Sequence, residues 1–261
     1  MRANRLHISP WPPAPDAPRR GIEPTRSSDE LDATAKFYDL AAARYDAEVD
    51  GEPKNASIRD AFRTRVSAIA GRGALILDFG CGTGTDAAWY VARGHRVIAY
   101  DLAPRMVDAL RIRCQAEIEA GLITTLAGRI DVLVAALERV GAVSVIAANF
   151  AVLSHVRDLG PLLQMLAPHL VADGALMVSV LNPFYRHDMR RTWWWRGALR
   201  SLWTGAIKLV GDVTTYRHFT GTVRRAAAPA FVVTEIGAAS GNGWKNTVAS
   251  NFLFLVLRKQ P

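Results

Sequence analysis

Apolar positions along residues 29–45 fall at Leu31, Ala35, Tyr38, Ala42 and Tyr45. Steps of three or four place them on one face of a helix. A second helix is predicted from about Ser57 to Ala70, closed by Gly71 and Gly73. Strand and helix patterns then alternate. Apolar runs at 74–79, 96–100, 122–127, 143–148 and 174–181 read as strands. Between them, 86–93, 104–120, a short segment to about Arg139, and 159–170 read as helices. Pro104 near the first turn and Gly121 just past the end bracket the second of these. Such alternation predicts βαβ units and a mostly parallel sheet with helices on both faces.

After residue 182 the rhythm breaks. A long Trp/Arg-rich stretch of helical spacing intervenes, followed by Tyr216-Arg217-His218-Phe219 and a short helix to about Ala228. Runs at 231–236 and 251–257 then suit a final antiparallel pair. On a helix over 186–210, Trp195, Leu199, Leu202, Trp203, Ile207 and Val210 make one stripe, with Arg196, Arg200 and Lys208 alongside. A Trp/Leu face flanked by arginines suits a helix lying on an anionic membrane surface through residues 190–210. It suits first a substrate-capping helix whose tryptophans pack on the sheet domain, and the two roles can coexist.

Composition narrows the class. Half of the 261 residues are apolar and 21% are charged, ordinary for a soluble domain. The run at 252–257 is as long as any apolar run, far short of the roughly 18 residues of a spanning helix. Residues 1–28 hold six prolines and five arginines and few apolar groups, and are expected to be a disordered arm before a domain at 29–261. Two cysteines, Cys81 and Cys114, with no Cys-x-x-Cys, argue against a disulfide framework or a zinc module. They fit a reducing cytoplasm, and no apolar leader precedes the first helix, so the expected location is cytoplasmic, with room for a peripheral place at the inner face of a membrane. The net charge of +8 is uneven: residues 186–225 carry +7, residues 1–28 carry +3, and the remainder carries −2. A basic segment of this kind attracts phosphate, on nucleic acid or on lipid.

The most informative segment is Leu75-Ile76-Leu77-Asp78-Phe79-Gly80-Cys81-Gly82-Thr83-Gly84-Thr85-Asp86. An apolar strand ends near an acid, and a Gly-x-Gly-x-Gly loop opens a helix. Glycine lets a ligand approach the bare backbone, and the helix start offers unpaired N–H groups. The next strand ends in Asp101, whose carboxylate can accept both hydroxyls of a ribose. A nucleoside ligand follows. The dinucleotide fingerprint has Gly-x-Gly-x-x-Gly spacing and no required acid before it, which disfavours the alternative of a nicotinamide-dependent oxidoreductase.

This loop resembles motif I of the class I S-adenosylmethionine-dependent methyltransferases. Tyr100-Asp101-Leu102-Ala103-Pro104-Arg105-Met106-Val107 is similar to that family's second-strand motif, and residues 145–155 resemble its fourth strand and following loop. Residues 37–46, Phe-Tyr-Asp-Leu-Ala-Ala-Ala-Arg-Tyr-Asp, are similar to the N-terminal helix of the ubiquinone/menaquinone-type and related small-molecule branch. The resemblance covers about residues 35–182. It implies a Rossmann-like, doubly wound seven-stranded α/β sheet, mostly parallel with an antiparallel last strand, with N-terminal helices and a helical cap at about 183–215.

It also implies roles. Asp78 would sit near the methionine amino group, and Gly80, Cys81, Gly82 and Gly84 would line the methionine and ribose. Asp101 would take the ribose diol, with Leu102 and Met106 beside the adenine and Asp131 near its amino group. Asn149, Phe150 and Leu153 would face the methionine or the acceptor, and Tyr38 would close over the sulfonium. His155 and His218 are the candidate bases, with His187 a third histidine in range. Asn182-Pro183-Phe184-Tyr185 looks like the nucleic-acid amino-methyltransferase motif but follows the fifth strand instead of the fourth, which disfavours a nucleic-acid substrate or partner. The expected reaction is methyl transfer from S-adenosylmethionine to a small, hydrophobic acceptor, on oxygen before carbon or nitrogen. No metal ligand set is seen, and nothing in the sequence gives the oligomeric state.

Overall fold

The computed structural model describes residues 27–49, 51–239 and 244–260. Apart from Ser27 and Ser28, the arm expected at 1–28 lies outside them. Helices α1 (Ser27–Ala41), α2 (Tyr45–Val49) and α3 (Pro53–Ala70) come first. Alternation follows: β1 (Leu75–Phe79), α4 (Thr85–Val91), β2 (Arg96–Asp101), α5 (Pro104–Arg113), α6 (Gln115–Glu119), β3 (Ile123–Ala127), α7 (Ile130–Val140), β4 (Val143–Ala148), α8 (Leu159–Leu166) and β5 (Leu170–Leu181). An insertion holds α9 (Arg186–Met189), α10 (Thr192–Thr204), β6 (Ala206–Val210) and β7 (Thr214–His218). The chain closes with α11 (Thr220–Ala227), β8 (Phe231–Ala238), α12 (Trp244–Ala249) and β9 (Phe252–Lys259).

Seven strands form one sheet in the order β3-β2-β1-β4-β5-β9-β8, and β6 pairs with β7 in a separate hairpin. β1 to β5 are parallel, and β9 runs antiparallel to both of its neighbours. The strand period of two sorts neighbouring residues to opposite faces. Leu77, Ile98, Ile146 and Leu176 meet Leu133, Leu137, Leu163 and Val223 on one side. Ile76, Val97, Val145 and Met177 meet Phe62, Val66, Tyr90 and Leu110 on the other. Both faces are dry, which is why the central strands read as unbroken apolar runs. Among the described residues, no helix is long and apolar enough to cross a membrane.

The elements depart from expectation in four places. The helix face foreseen over 29–45 breaks after Ala41, so Ala42 lies in a turn and Tyr45 opens α2. The helix foreseen over 104–120 breaks at Cys114 (φ −111°, ψ 30°), a fully buried residue between α5 and α6. α8 stops at Leu166 because Pro168 lacks a backbone donor, and a 3-10 turn over Ala167–His169 takes its place. The helix foreseen over 186–210 ends at Thr204, where Gly205 turns left-handed (φ 71°). β-Branched Ile207, Val210, Val213, Thr214 and Thr215 then build a hairpin. The six-residue stripe is therefore a correction. Ile207 is a buried strand residue and Val210 an exposed one, so neither continues the helix face; the side chain of Leu202 lies outside the described residues.

Candidate active site

The order of the central strands puts β2 on one side of β1 and β4 on the other. That arrangement opens a crevice at their carboxyl ends, where doubly wound sheets take ligands. A cavity of about 410 Å³ lies there, within the size range of small-molecule sites. Its floor is Gly80, Cys81, Gly82 and Thr83 after β1. One wall is Asp101, Leu102, Ala103 and Met106 after β2, and another is Asn149, Phe150, Val152 and His155 after β4. α1 closes the top with Leu31, Ala35 and Tyr38.

Close approach explains the glycines. A Cβ on Gly80 would meet Val152 Cγ2 at 2.4 Å, and one on Gly84 would meet Leu110 Cγ at 2.5 Å. Both have positive φ, 80° and 87°. Asp101 is held by two backbone donors: Gly82 N–H to Oδ2 and Ala103 N–H to Oδ1, each at 2.9 Å. Burial raises its carboxyl to about 6, against the lowering effect of those hydrogen bonds.

Below the loop sits a buried charged cluster. Arg59 Nη1 lies 3.1 Å from Asp86 Oδ1, and Asn149 Nδ2 donates to Asp86 Oδ2 at 2.9 Å. The Arg59 guanidinium lies 4.6 Å from the centre of the Phe150 ring. Asn149 Oδ1 accepts from Phe150 N–H at 2.8 Å and from Ser179 Oγ at 3.3 Å. Phe150 and Ala151 both take positive φ, 47° and 61°, a strained turn for residues with side chains. Asp78 is buried, and its Oδ2 makes no hydrogen bond. Burial first, then the negative charge of Asp86, pushes its carboxyl well above the ordinary range. An unsatisfied acceptor of this kind beside a bare glycine loop fits an ammonium group on an incoming ligand.

Tyr38 and His155 meet across the cavity. His155 Nδ1 lies 3.3 Å from the Thr214 carbonyl oxygen, which can only accept. Nδ1 therefore carries the hydrogen and Nε2 the lone pair. The Tyr38 hydroxyl donates to that Nε2 at 3.1 Å. Burial brings the imidazole down to about 4, and burial keeps the Tyr38 phenol well above its usual value. Tyr45 joins Tyr38 edge to face, with ring centres 6.2 Å apart.

The expected residues thus divide. Tyr38, Gly80, Cys81, Gly82, Asp101, Leu102, Met106, Asn149, Phe150 and His155 line the cavity together. Asp78 and Gly84 are buried just behind it. Three expectations are corrected. Leu153 is core, 1% exposed among β-sheet and α8 side chains. Asp131 is exposed on the first turn of α7, while its neighbours Arg129 and Ile130 reach the cavity instead. His218 does not line the cavity; its ring is buried and Nε2–H donates to the Val156 carbonyl at 2.9 Å. His187 is exposed in α9, also away from the lining. The Cys81 thiol is pushed well above its ordinary range by burial and by Asp101 and Asp78, which suits a small spacer and no nucleophile. Sequence reasoning assigned no role to Arg59 or Asp86. Their signal was an arginine beside the apolar stripe Ile58, Phe62, Val66 of α3, where a charge needs a buried partner.

The family described as "methyltransferase domain" matches residues 54–208. Among solved structures, Burkholderia thailandensis 1,6-didemethyltoxoflavin N1-methyltransferase, bound to 1,6-didemethyltoxoflavin and S-adenosylhomocysteine, superposes with a TM-score of 0.63 at 16% identity, covering 93% of this chain and 94% of that one. Streptomyces coelicolor A3(2) geranyl diphosphate C-methyltransferase, bound to Mg2+, geranyl diphosphate and S-adenosylhomocysteine, gives 0.57 at 14% identity, covering 88% and 98%. At these identities the likeness is one of fold. No curated protein matches the sequence. The match over more than half of the chain, on the sheet order and glycine loop described above, decides the family: the chain belongs to the methyltransferase-domain family and is a class I S-adenosylmethionine-dependent methyltransferase.

Proposed function

We propose that the protein methylates a small, lipophilic molecule at a hydroxyl oxygen. The observation that carries this is the Tyr38–His155 hydrogen bond inside a cavity whose other walls include Leu31, Ala35, Val152, Leu162 and Met165. An acceptor must shed its hydroxyl proton as the methyl arrives, and most of its surface must be apolar to sit against these side chains.

S-adenosylmethionine supplies an electrophilic methyl group on a sulfonium. In this proposal Asp101 accepts the ribose hydroxyls, and Leu102, Met106 and Ile130 flank the adenine. Asp78 takes the amino group, and Arg59, already poised beside Asp86 and Phe150, takes the carboxylate. Gly80 and Gly82 keep the floor bare for close contact, Cys81 adds only a small side chain to it, Gly84 lets the loop pack on Leu110 behind, and Asn149 and Phe150 shape the wall nearest the methyl group. Tyr38 and Tyr45 close over the reacting centre and exclude water. The acceptor hydroxyl rests on the Tyr38 oxygen; its proton passes to that oxygen as the phenol proton moves to His155 Nε2. Burial makes this imidazole a weak base, but the acceptor O–H turns strongly acidic as its oxygen gains the methyl carbon, so the neutral ring can still take the proton.

A second partner in this proposal is an anionic membrane surface, met through residues 190–210 and consistent with a greasy acceptor. The test of the reaction is transfer of labelled methyl to a panel of lipophilic alcohols and phenols beside matched amines. Label in the hydroxyl compounds supports the proposal; label in amines alone overturns the choice of oxygen.

A further inference from the structure

α10 is anchored by one side only. Three residues per 300° of helix, about 100° each, fix where every side chain points. Taking Trp195 as the origin, Leu199 lies about 40° round and Trp203 about 80°. These three are 60%, 70% and 92% exposed. Gly197, Ser201 and Trp194 lie on the opposite side, at about 200° to 260°. That side is packed: a Cβ on Gly197 would meet Ile207 Cγ2 at 2.6 Å, Ser201 is buried, and Trp194 is buried with its Nε1–H donating to the Pro183 carbonyl at 2.7 Å. The apolar ridge therefore points directly away from the body of the protein. Arg196 and Arg200 fall on its flank, at about 100° and 140°, both exposed. Arg186, Arg190 and Arg191 are exposed just before the helix. The acid in this stretch, Asp188, is buried and paired with Arg217 at 2.5 Å; of these arginines its charge bears on Arg191 alone, which leaves Arg196 and Arg200 on the helix flank unaffected by it.

We infer that Trp195, Leu199 and Trp203 form a docking ridge that inserts into the headgroup layer of an anionic lipid bilayer, with Arg196 and Arg200 on the lipid phosphates. This rests on the membrane part of the proposed function and sharpens it, since the ridge excludes Ile207 and Val210. The chemistry favours lipid over a protein partner: two tryptophans, whose rings prefer the membrane interface, project from a convex helix bordered by arginines, Trp195 braced edge-on by the buried Trp194. A protein partner would have to bring a groove that takes the ridge, whereas a bilayer needs none. The inference needs neither the acceptor nor the base.

The test uses the full chain with vesicles of mixed phosphatidylglycerol and phosphatidylcholine beside vesicles of phosphatidylcholine alone, at low salt. The expected result is co-sedimentation with the anionic vesicles, weakened by salt, with a blue shift in tryptophan fluorescence. The triple variant Trp195→Ser, Leu199→Ser, Trp203→Ser should bind about tenfold more weakly or less. Arg196→Gln with Arg200→Gln should lose the preference for anionic lipid. Heat of binding to S-adenosylhomocysteine serves as the check on folding and is expected to be unchanged in each variant. If the triple variant fails that check, Trp203→Ser alone is decisive, because a side chain this exposed contributes little packing. Wild-type protein that ignores anionic vesicles, or ridge variants that bind them fully, overturns the inference. So does a wild-type dimer that the ridge variants turn into a monomer, because the ridge would then belong to a second copy. None of these outcomes bears on methyl transfer in solution: a wild type that ignores anionic vesicles removes the membrane surface from both proposals, whereas ridge variants that bind them fully remove the ridge alone.

Discussion

Tyr38 on α1 donates its phenolic hydrogen to His155 Nε2 over 3.1 Å, joining the N-terminal helix to the turn that follows β4. The bond spans the cavity wall and roof, so the two residues should act as a unit. Tyr38→Phe and His155→Ala are each expected to lower kcat by about 10²-fold or more while S-adenosylhomocysteine binding changes little. The double variant should lose scarcely more than either single one. Fully additive losses would show that the pair does not share one task.

The same histidine sets an acid limit. Burial takes its imidazole from 6.5 to about 4, so the folded protein refuses a proton that the unfolded chain binds between those values. Stability from this group is complete above about pH 6.5 and is lost as pH falls toward 4. Thermal melting from pH 7 down to pH 4 should therefore show a declining Tm, with a shallower decline in His155→Gln.

Asp101 gives a separate pH signature. Its carboxyl, raised by burial to about 6, must be ionised to accept two ribose hydroxyls. Affinity for S-adenosylhomocysteine is expected to be level above pH 7 and to fall below pH 6, by up to about tenfold per pH unit. Asp101→Asn should bind weakly and lose that slope. A wild-type affinity that stays flat from pH 7.5 to 5 would remove this role from Asp101.

Arg59 couples stability to binding. It faces Asp86 from 3.1 Å, and both are buried. Arg59→Met would leave that carboxylate without its ion-pair partner, a loss of about 3–5 kcal/mol. Chemical denaturation should show the drop, and S-adenosylhomocysteine should bind more weakly at a temperature where the variant is still folded. Full stability in Arg59→Met would mean that the pair is worth little.

Much of the fold was legible. Central strands buried on both faces need unbroken apolar residues, and the helices between them carry one apolar side, so 75–181 declared itself. The glycine loop and Asp101 were legible for a related reason: bare backbone and a lone acid at a strand end leave a local pattern. Arg59 was harder. Its partner Asp86 is distant in sequence, and only the packing of α3 against α4 brings them together. His218 and His155 looked alike as letters, yet one lines the cavity and the other spends its ring on the Val156 carbonyl. The insertion misled because Ile207 and Val210 happen to fall at helical spacing, while Gly205 had already ended the helix.

The most direct measurement is a calorimetric titration of S-adenosylhomocysteine into the wild type and Asp101→Ala. The account predicts a one-to-one site in the wild type, weakened by about 1–3 kcal/mol in the variant through lost charge-assisted hydrogen bonds. No heat in the wild type, or the same affinity in both proteins, would contradict it.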